Sequence, residues 1–202
     1  MHPEASEPAE PRRPSGEWLA AHHDLLRPGL RVLDLGCGWG NDAGELRKLG
    51  LNVIGMDRSR ENLEQARRAA PDVPLVQADM AQGLPFRSAA FDLVVASLSL
   101  HYFPWETTRR IARGVADVLR PEGRLLCRVN RVGDVNFDYG VGVEREPELF
   151  EVTPGHLKRF FCETTLAELL DEAFRVDVIT PETTTRFGAP KQTLVARAKR
   201  RG

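Results

Sequence analysis

The stretch Val32-Leu-Asp-Leu-Gly-Cys-Gly-Trp-Gly40 constrains this chain more than any other. A short apolar run, long enough for one buried strand, ends in glycines at positions 36, 38 and 40. Glycines so placed let the backbone turn tightly and approach a ligand without Cβ interference. A strand that feeds such a loop, with a helix behind it, is the usual entry to a nucleotide-type site in an α/β sheet. The spacing then selects among such sites. A dinucleotide fingerprint needs its third glycine three residues after the second, and position 41 is Asn41. The pattern is GxGxG, with Asp34 two residues ahead and no P-loop lysine behind.

The chain keeps the rhythm that this loop begins. Residues 31–35, 52–56, 73–77, 91–96 and 124–129 read as short apolar strands. Between them lie helical stretches: 42–49, closed by Gly50; Ser59, as cap, to about Ala70; and a helix with Pro104 in its first turn. Ile111, Val115, Val118 and Leu119 make one stripe on that last helix. Pro121-Glu122-Gly123 turns the chain into the fifth strand. Strands alternating with helices of this size predict βαβ units and a parallel sheet. Before the first strand, Ser15 caps a helix carrying Trp18, Leu19 and His22 to Leu26, and the proline-rich residues 1–14 read as a mobile tail. After Asn130 come an irregular stretch (131–162), a helix over 164–173, and strands over 175–180 and 193–198 joined as a hairpin.

Composition narrows the classes further. With 202 residues and 42% hydrophobic content, the chain forms one domain with a core that needs neither disulfides nor metal. Its 28 basic and 29 acidic side chains leave a net charge of −1, so no global field draws it to nucleic acid or to a membrane. Four of the basic residues are lysine, the rest arginine, a compositional bias more than a phosphate signature. No apolar run approaches the roughly 20 residues of a membrane span, and residues 1–14 lack the apolar core of a signal peptide. Cys37, Cys127 and Cys162 have no metal-ligand spacing, which predicts reduced thiols, a cytoplasmic location and no metal site.

Further motifs keep step with the glycines. Asp57 ends the second strand, 21 residues after Gly36; Ala78-Asp79-Met80 follows the third; Phe91-Asp92-Leu-Val-Val opens the fourth; and Leu119-Arg-Pro-Glu-Gly-Arg-Leu-Leu126 leads into the fifth. Together with the GxGxG loop, over about residues 15–130, these resemble the class I methyltransferases that use S-adenosylmethionine (SAM), of the small-molecule "methyltransferase domain" type. The resemblance implies an α/β fold: a Rossmann-like doubly wound sheet of seven strands, the last hairpin antiparallel, with helices on both faces. It implies methyl transfer from SAM to a small-molecule acceptor, with S-adenosylhomocysteine as product. It also implies a cofactor shell of Asp34, Gly36, Cys37, Gly38, Trp39, Gly40, Asp57, Arg58, Asp79, Met80 and Ser97. Asp57 then takes the two ribose hydroxyls, which are donors suited to a carboxylate; Asp79 takes the adenine amino group, and Asp34 balances the ammonium of the methionine end. The segment Ser97-Leu-Ser-Leu-His-Tyr-Phe103 lies where such sheets bind ligands. It offers His101 as a base and, with Tyr102, as an acceptor contact. The alternatives are a nicotinamide-dependent oxidoreductase, a SAM-binding protein without turnover and a nucleic-acid methyltransferase. The last lacks an Asn-Pro-Pro-Tyr-type motif here.

Residues 131–162 are too long and too aromatic for a simple link, and loops of that length are usually functional. They read as a lid or acceptor-binding insertion within the 15–202 domain. Thr153-Pro154 has the form of a helix start, which would put His156, Arg159 and Phe160 on one face. His156 and Arg159 would then offer donors to a polar or anionic acceptor.

Overall fold

The structure, a computed structural model, describes residues 17–185 and 188–202. The tail over 1–14 and the Ser15 cap lie outside the described residues. Among the described residues there are ten strands: β1 (Arg31–Leu35), β2 (Asn52–Asp57), β3 (Leu75–Gln77), β4 (Phe91–Ser97), β5 (Leu119–Asn130), β6 (Val143–Glu146), β7 (Leu149–Thr153), β8 (His156–Arg159), β9 (Phe174–Thr184) and β10 (Lys191–Arg200). The helices are α1 (Glu17–Ala20), α2 (Asn41–Lys48), α3 (Arg60–Ala69), α4 (Trp105–Val118) and α5 (Glu163–Asp171).

Seven strands form one sheet in the order β3-β2-β1-β4-β5-β10-β9. The first five are parallel, and β10 lies antiparallel between β5 and β9. The expected antiparallel hairpin is therefore present, with its second strand inserted inside the sheet. Side chains alternate between two cores. Leu33, Met56, Val94, Cys127 and Leu194 face α4 and α5. Val32, Val53, Val95, Leu126 and Val195 face α1 and α2. Strands buried on both sides explain the unbroken apolar runs in the sequence.

Local chemistry sets the element ends. The Ser59 hydroxyl accepts the Asn62 amide at 3.1 Å, capping α3 as its sequence predicts. Pro104 stands at the N-cap of α4, one place before the first turn. The turn expected at 121–123 is absorbed into β5: the register against β4 shifts between Phe91 and Leu93, and Glu122 takes φ 68°. The single helix expected over 18–26 is two pieces, α1 and a 3-10 turn over His23–Leu25.

The largest departure is in 131–162. Strands β6, β7 and β8 form a separate three-stranded antiparallel sheet. Thr153-Pro154 starts no helix. Gly155 at φ 76° turns the chain instead, and its amide donates to Glu151 Oε1 at 2.8 Å. A proline followed by a glycine in the left-handed region suits a tight turn, and here that outweighs the helix-start pattern. His156 and Arg159 consequently sit three apart on a strand, where they point to opposite sides.

Candidate active site

The strand order reverses between β1 and β4, and a ligand crevice is expected outside the carboxyl ends at that switch point. A cavity of about 340 Å³ lies there. The three loop glycines divide the work of making it. The Gly36 and Cys37 amides both donate to Met56 O, at 2.7 and 2.9 Å, tying the loop to the end of β2. A Cβ on Gly36 would collide with Ser99 Cβ, and one on Gly40 would come within 2.9 Å of Ala66 Cβ on α3. Gly36 and Gly40 are therefore glycines for packing. Gly38, at φ 52°, lines the cavity, and a Cβ there would meet nothing within 4 Å.

Asp57 wires the loop to the next helix. Its Oδ2 accepts the Gly38 amide at 2.9 Å, and its Oδ1 accepts the Ser59 amide at 2.9 Å and Asn62 Nδ2 at 3.3 Å. Asp79 caps a 3-10 turn by accepting the Ala81 amide at 2.9 Å on Oδ1. Both carboxylates line the cavity with Arg58 and Met80. On the opposite wall, Ser99 Oγ donates to Leu35 O at 2.6 Å, and Leu98 holds φ 55° with its amide on Arg128 O at 2.7 Å. A leucine in the left-handed region is strained. The strain bends the chain after β4 so that Leu98, Ser99, Tyr102 and Phe103 face the cavity.

Several expected contacts are absent from the cavity wall. Asp34 is 1% exposed and lies on the face covered by α2; burial first, then the Asp42 carboxylate, push it well above the ordinary carboxylate range, opposed by the Ala43 amide. Cys37 is buried, with its Sγ against Gly55 of β2, and burial raises its thiol. Trp39 is 48% exposed and outside the lining. Ser97 Oγ accepts Arg128 Nη2 at 2.9 Å, leaving the wall to Leu98 and Ser99.

His101 is buried behind Tyr102, ring centroids 4.2 Å apart, with Nδ1 unpartnered. Burial, and then the charges of Lys191, Lys158 and His156, lower its pKa well below the ordinary value, so it is neutral. His156 lines the cavity from β8, its ring 5.7 Å from Tyr102. Arg159 is turned away into an ion pair with Glu146 and donates to Pro147 O at 3.0 Å. The expected joint donor pair of His156 and Arg159 is therefore split. Ser59, Asn62, Leu98, Ser99 and Phe103 also line the site. Asn62 could have been inferred from its place one turn beyond the Ser59 cap; Ser99 carries no such local signal.

Among the described residues no cluster of histidine, cysteine, aspartate and glutamate could hold a metal, and no helix is long and apolar enough to cross a membrane.

Residues 32–123 match the family model described as a methyltransferase domain. Trans-aconitate 2-methyltransferase of an Azoarcus species is 33% identical over 173 residues, 82% of this chain and 63% of its own length. The fold resembles that of a SAM-dependent methyltransferase from Methanosarcina mazei, with TM-score 0.76 and 23% identity, covering 89% of this chain and 96% of the other. It also resembles the 1,6-didemethyltoxoflavin-N1-methyltransferase of Burkholderia thailandensis, solved with 1,6-didemethyltoxoflavin and S-adenosylhomocysteine. There the TM-score is 0.71 and the identity 27%, over 94% of this chain and 78% of the other. The chain spans about half the length of most of the curated relatives it matches. With the GxGxG loop at the switch point, the acidic residue ending β2 and the inserted antiparallel strand all in place, the chain belongs to the class I SAM-dependent methyltransferase family.

Proposed function

We propose that this protein transfers the methyl group of SAM to a small-molecule acceptor. The observation that carries the reading is Gly38: it lines the cavity with open space where a Cβ would stand, while Asp57 grips its amide. The residues present fit the cofactor. Asp57 and Asp79 are carboxylates on the wall of the cavity, suited to ribose hydroxyls and an adenine amino group. The amide-rich start of α2 suits a carboxylate.

When bound, SAM supplies a methyl group on a cationic sulfur, a donor already activated. The protein's contribution is then mainly proximity and orientation. Tyr102 stays a donor, because burial and the nearby Asp57 carboxylate push its phenol up. His101 stays neutral behind the Tyr102 ring, and the burial that keeps it so makes it a poor proton acceptor. Residues 131–162 act as a lid, presenting His156 at the cavity mouth. The names of the relatives, acting on trans-aconitate and on 1,6-didemethyltoxoflavin, support a small acceptor over a nucleic acid. The free thiols of Cys37, Cys127 and Cys162 fit a cytoplasmic location.

Calorimetry with SAM, S-adenosylhomocysteine and NAD tests the reading. Heat with the first two and none with NAD supports it; heat with NAD alone favours the oxidoreductase. Incubation with SAM and a metabolite extract should then release S-adenosylhomocysteine. Binding without any release would mark a protein that has lost turnover.

A further inference from the structure

An acceptor that attacks through an O–H or N–H group must lose its proton as the new bond forms, and the cavity wall narrows which side chain can take it. Among the described residues, the titratable side chains on that wall besides Arg58 are Asp57, Asp79, Tyr102 and His156. Asp57 has both oxygens occupied, by the Gly38 and Ser59 amides and by Asn62 Nδ2. Asp79 gives one oxygen to the Ala81 amide. In the methyltransferase reading both also meet donors of the cofactor, and a carboxylate is a weak base near neutral pH. Tyr102 keeps its proton, because burial and the Asp57 carboxylate push its phenol up. His156 remains.

The geometry suits it to that task. His156 opens β8 directly after the Gly155 turn and is exposed, so water reaches it. Its ring packs 5.7 Å from that of Tyr102, and no described protein group hydrogen-bonds its ring nitrogens. The strand beneath it is anchored: β8 pairs with β7 over its length, and Arg159 donates to Phe103 O at 3.4 Å and to Pro147 O at 3.0 Å. The charges around it are mostly spent on one another. Glu151 of β7 holds Arg145 and the Gly155 amide, and Lys158, two residues along β8, is paired with Asp138 at 2.8 Å. His101 on the neighbouring 3-10 turn is neutral, and Asp57, Arg58 and Asp79 line the rest of the same cavity.

We propose that His156 is the general base of methyl transfer, and that the acceptor presents a neutral O–H or N–H group to it. The acceptor lone pair attacks the methyl carbon, and the carbon–sulfur bond breaks with its electron pair left on sulfur. The acceptor proton passes to the imidazole and from there to water at the cavity mouth. The products are the methylated acceptor, S-adenosylhomocysteine and a proton. An ionised carboxylate has no proton to lose and gains nothing from such a base. The inference rests on the methyltransferase reading and adds to it a catalytic residue and an acceptor class.

The test uses the full chain, SAM labelled in its methyl group, and a metabolite extract as the source of acceptor. The label should end in a product stable to mild alkali, as methyl ethers and N-methyl groups are. Label released by alkali as methanol marks a methyl ester, hence a carboxylate acceptor, and overturns the proposal. A dilution series of the extract separates kcat from KM. His156→Gln should lower kcat about a hundredfold or more, with S-adenosylhomocysteine affinity within about twofold, and added imidazole should restore part of the loss. Wild-type kcat should rise between about pH 5 and 8, where histidines titrate, and the variant should lack that rise. His156→Ala should behave alike and stands in if the glutamine variant does not fold. A KM that rises while kcat and its pH profile stay unchanged makes His156 a binding group only and overturns the proposal. Absence of any labelled product from the wild type overturns the methyltransferase reading, and this inference with it.

Discussion

Asp57 and Asp79 both present a carboxylate to the cavity, yet they carry different loads. Asp57 holds three donors from the glycine loop and α3, whereas Asp79 holds one. Asp57→Ala should weaken SAM binding about tenfold to hundredfold, more than Asp79→Ala does, and should lower Tm as well. Calorimetry and a melting curve on the same two variants check both statements. The glycines separate in the same way. Gly36→Ala sets a Cβ against Ser99 and should cost roughly 2 kcal/mol or more of stability. Gly38→Ala meets no protein atom there, so its cost to folding should be limited to the left-handed backbone strain of about 1–2 kcal/mol, and ligand affinity should fall as well. Asp34 adds a pH signature. Its pKa is raised in the folded state by burial and by Asp42, so its contribution to stability is full below the ordinary carboxylate range and is lost as pH rises through the folded value. Asp34→Asn should remove that fall: Tm would match the wild type in acid and exceed it near neutrality.

At the scale of elements, the insertion shows where sequence reading succeeds and where it stops. The strand-loop-helix units from β1 to β5 are legible because their signals are local: an apolar run, a glycine or proline, a cap such as Ser59. The β7–β8 turn presents an equally local signal, Thr153-Pro154, that fits two structures. The choice between them is made by Gly155, by Glu151, and by pairing with β6, which lies earlier in the chain. Ser97 and Arg159, expected beside the ligands, meet protein partners that no local pattern announces. Their partners, Arg128 and Glu146, are 31 and 13 residues away. Arg159 ties the insertion together through Glu146 and Pro147 O and fixes it to the body through Phe103 O at 3.4 Å and the Trp105 ring, 5.5 Å from its guanidinium, while Glu146 accepts the Trp105 amide at 2.9 Å. Arg159→Ala should therefore cost about 1.5–3 kcal/mol of stability, whereas His156→Ala should leave Tm unchanged and raise the acceptor KM. Urea unfolding of both variants, with acceptor kinetics, separates the two roles.

Across the whole molecule, the two faces of the sheet give the three thiols different fates. Cys127 lies in the core under α4 and α5, where burial pushes it up to about 12, and burial also raises Cys37. Cys162, partly exposed at the start of α5, is lowered by its contacts with Thr165. A thiol reagent at neutral pH should modify Cys162 rapidly and the other two only after unfolding. The sheet order itself has a consequence in time. Strand β10 is the last of the ten to leave the ribosome, yet it sits between β5 and β9 and pairs with both along most of its length. Until it is made, the nascent chain carries two unpaired edges, one of them bordering the hydrophobic centre of the sheet. Such edges recruit other chains, and pairing between distant segments is slow. Synthesis of this protein therefore passes through a window in which all but one of the strands exist and the sheet cannot close, a window in which a chaperone has the most to protect.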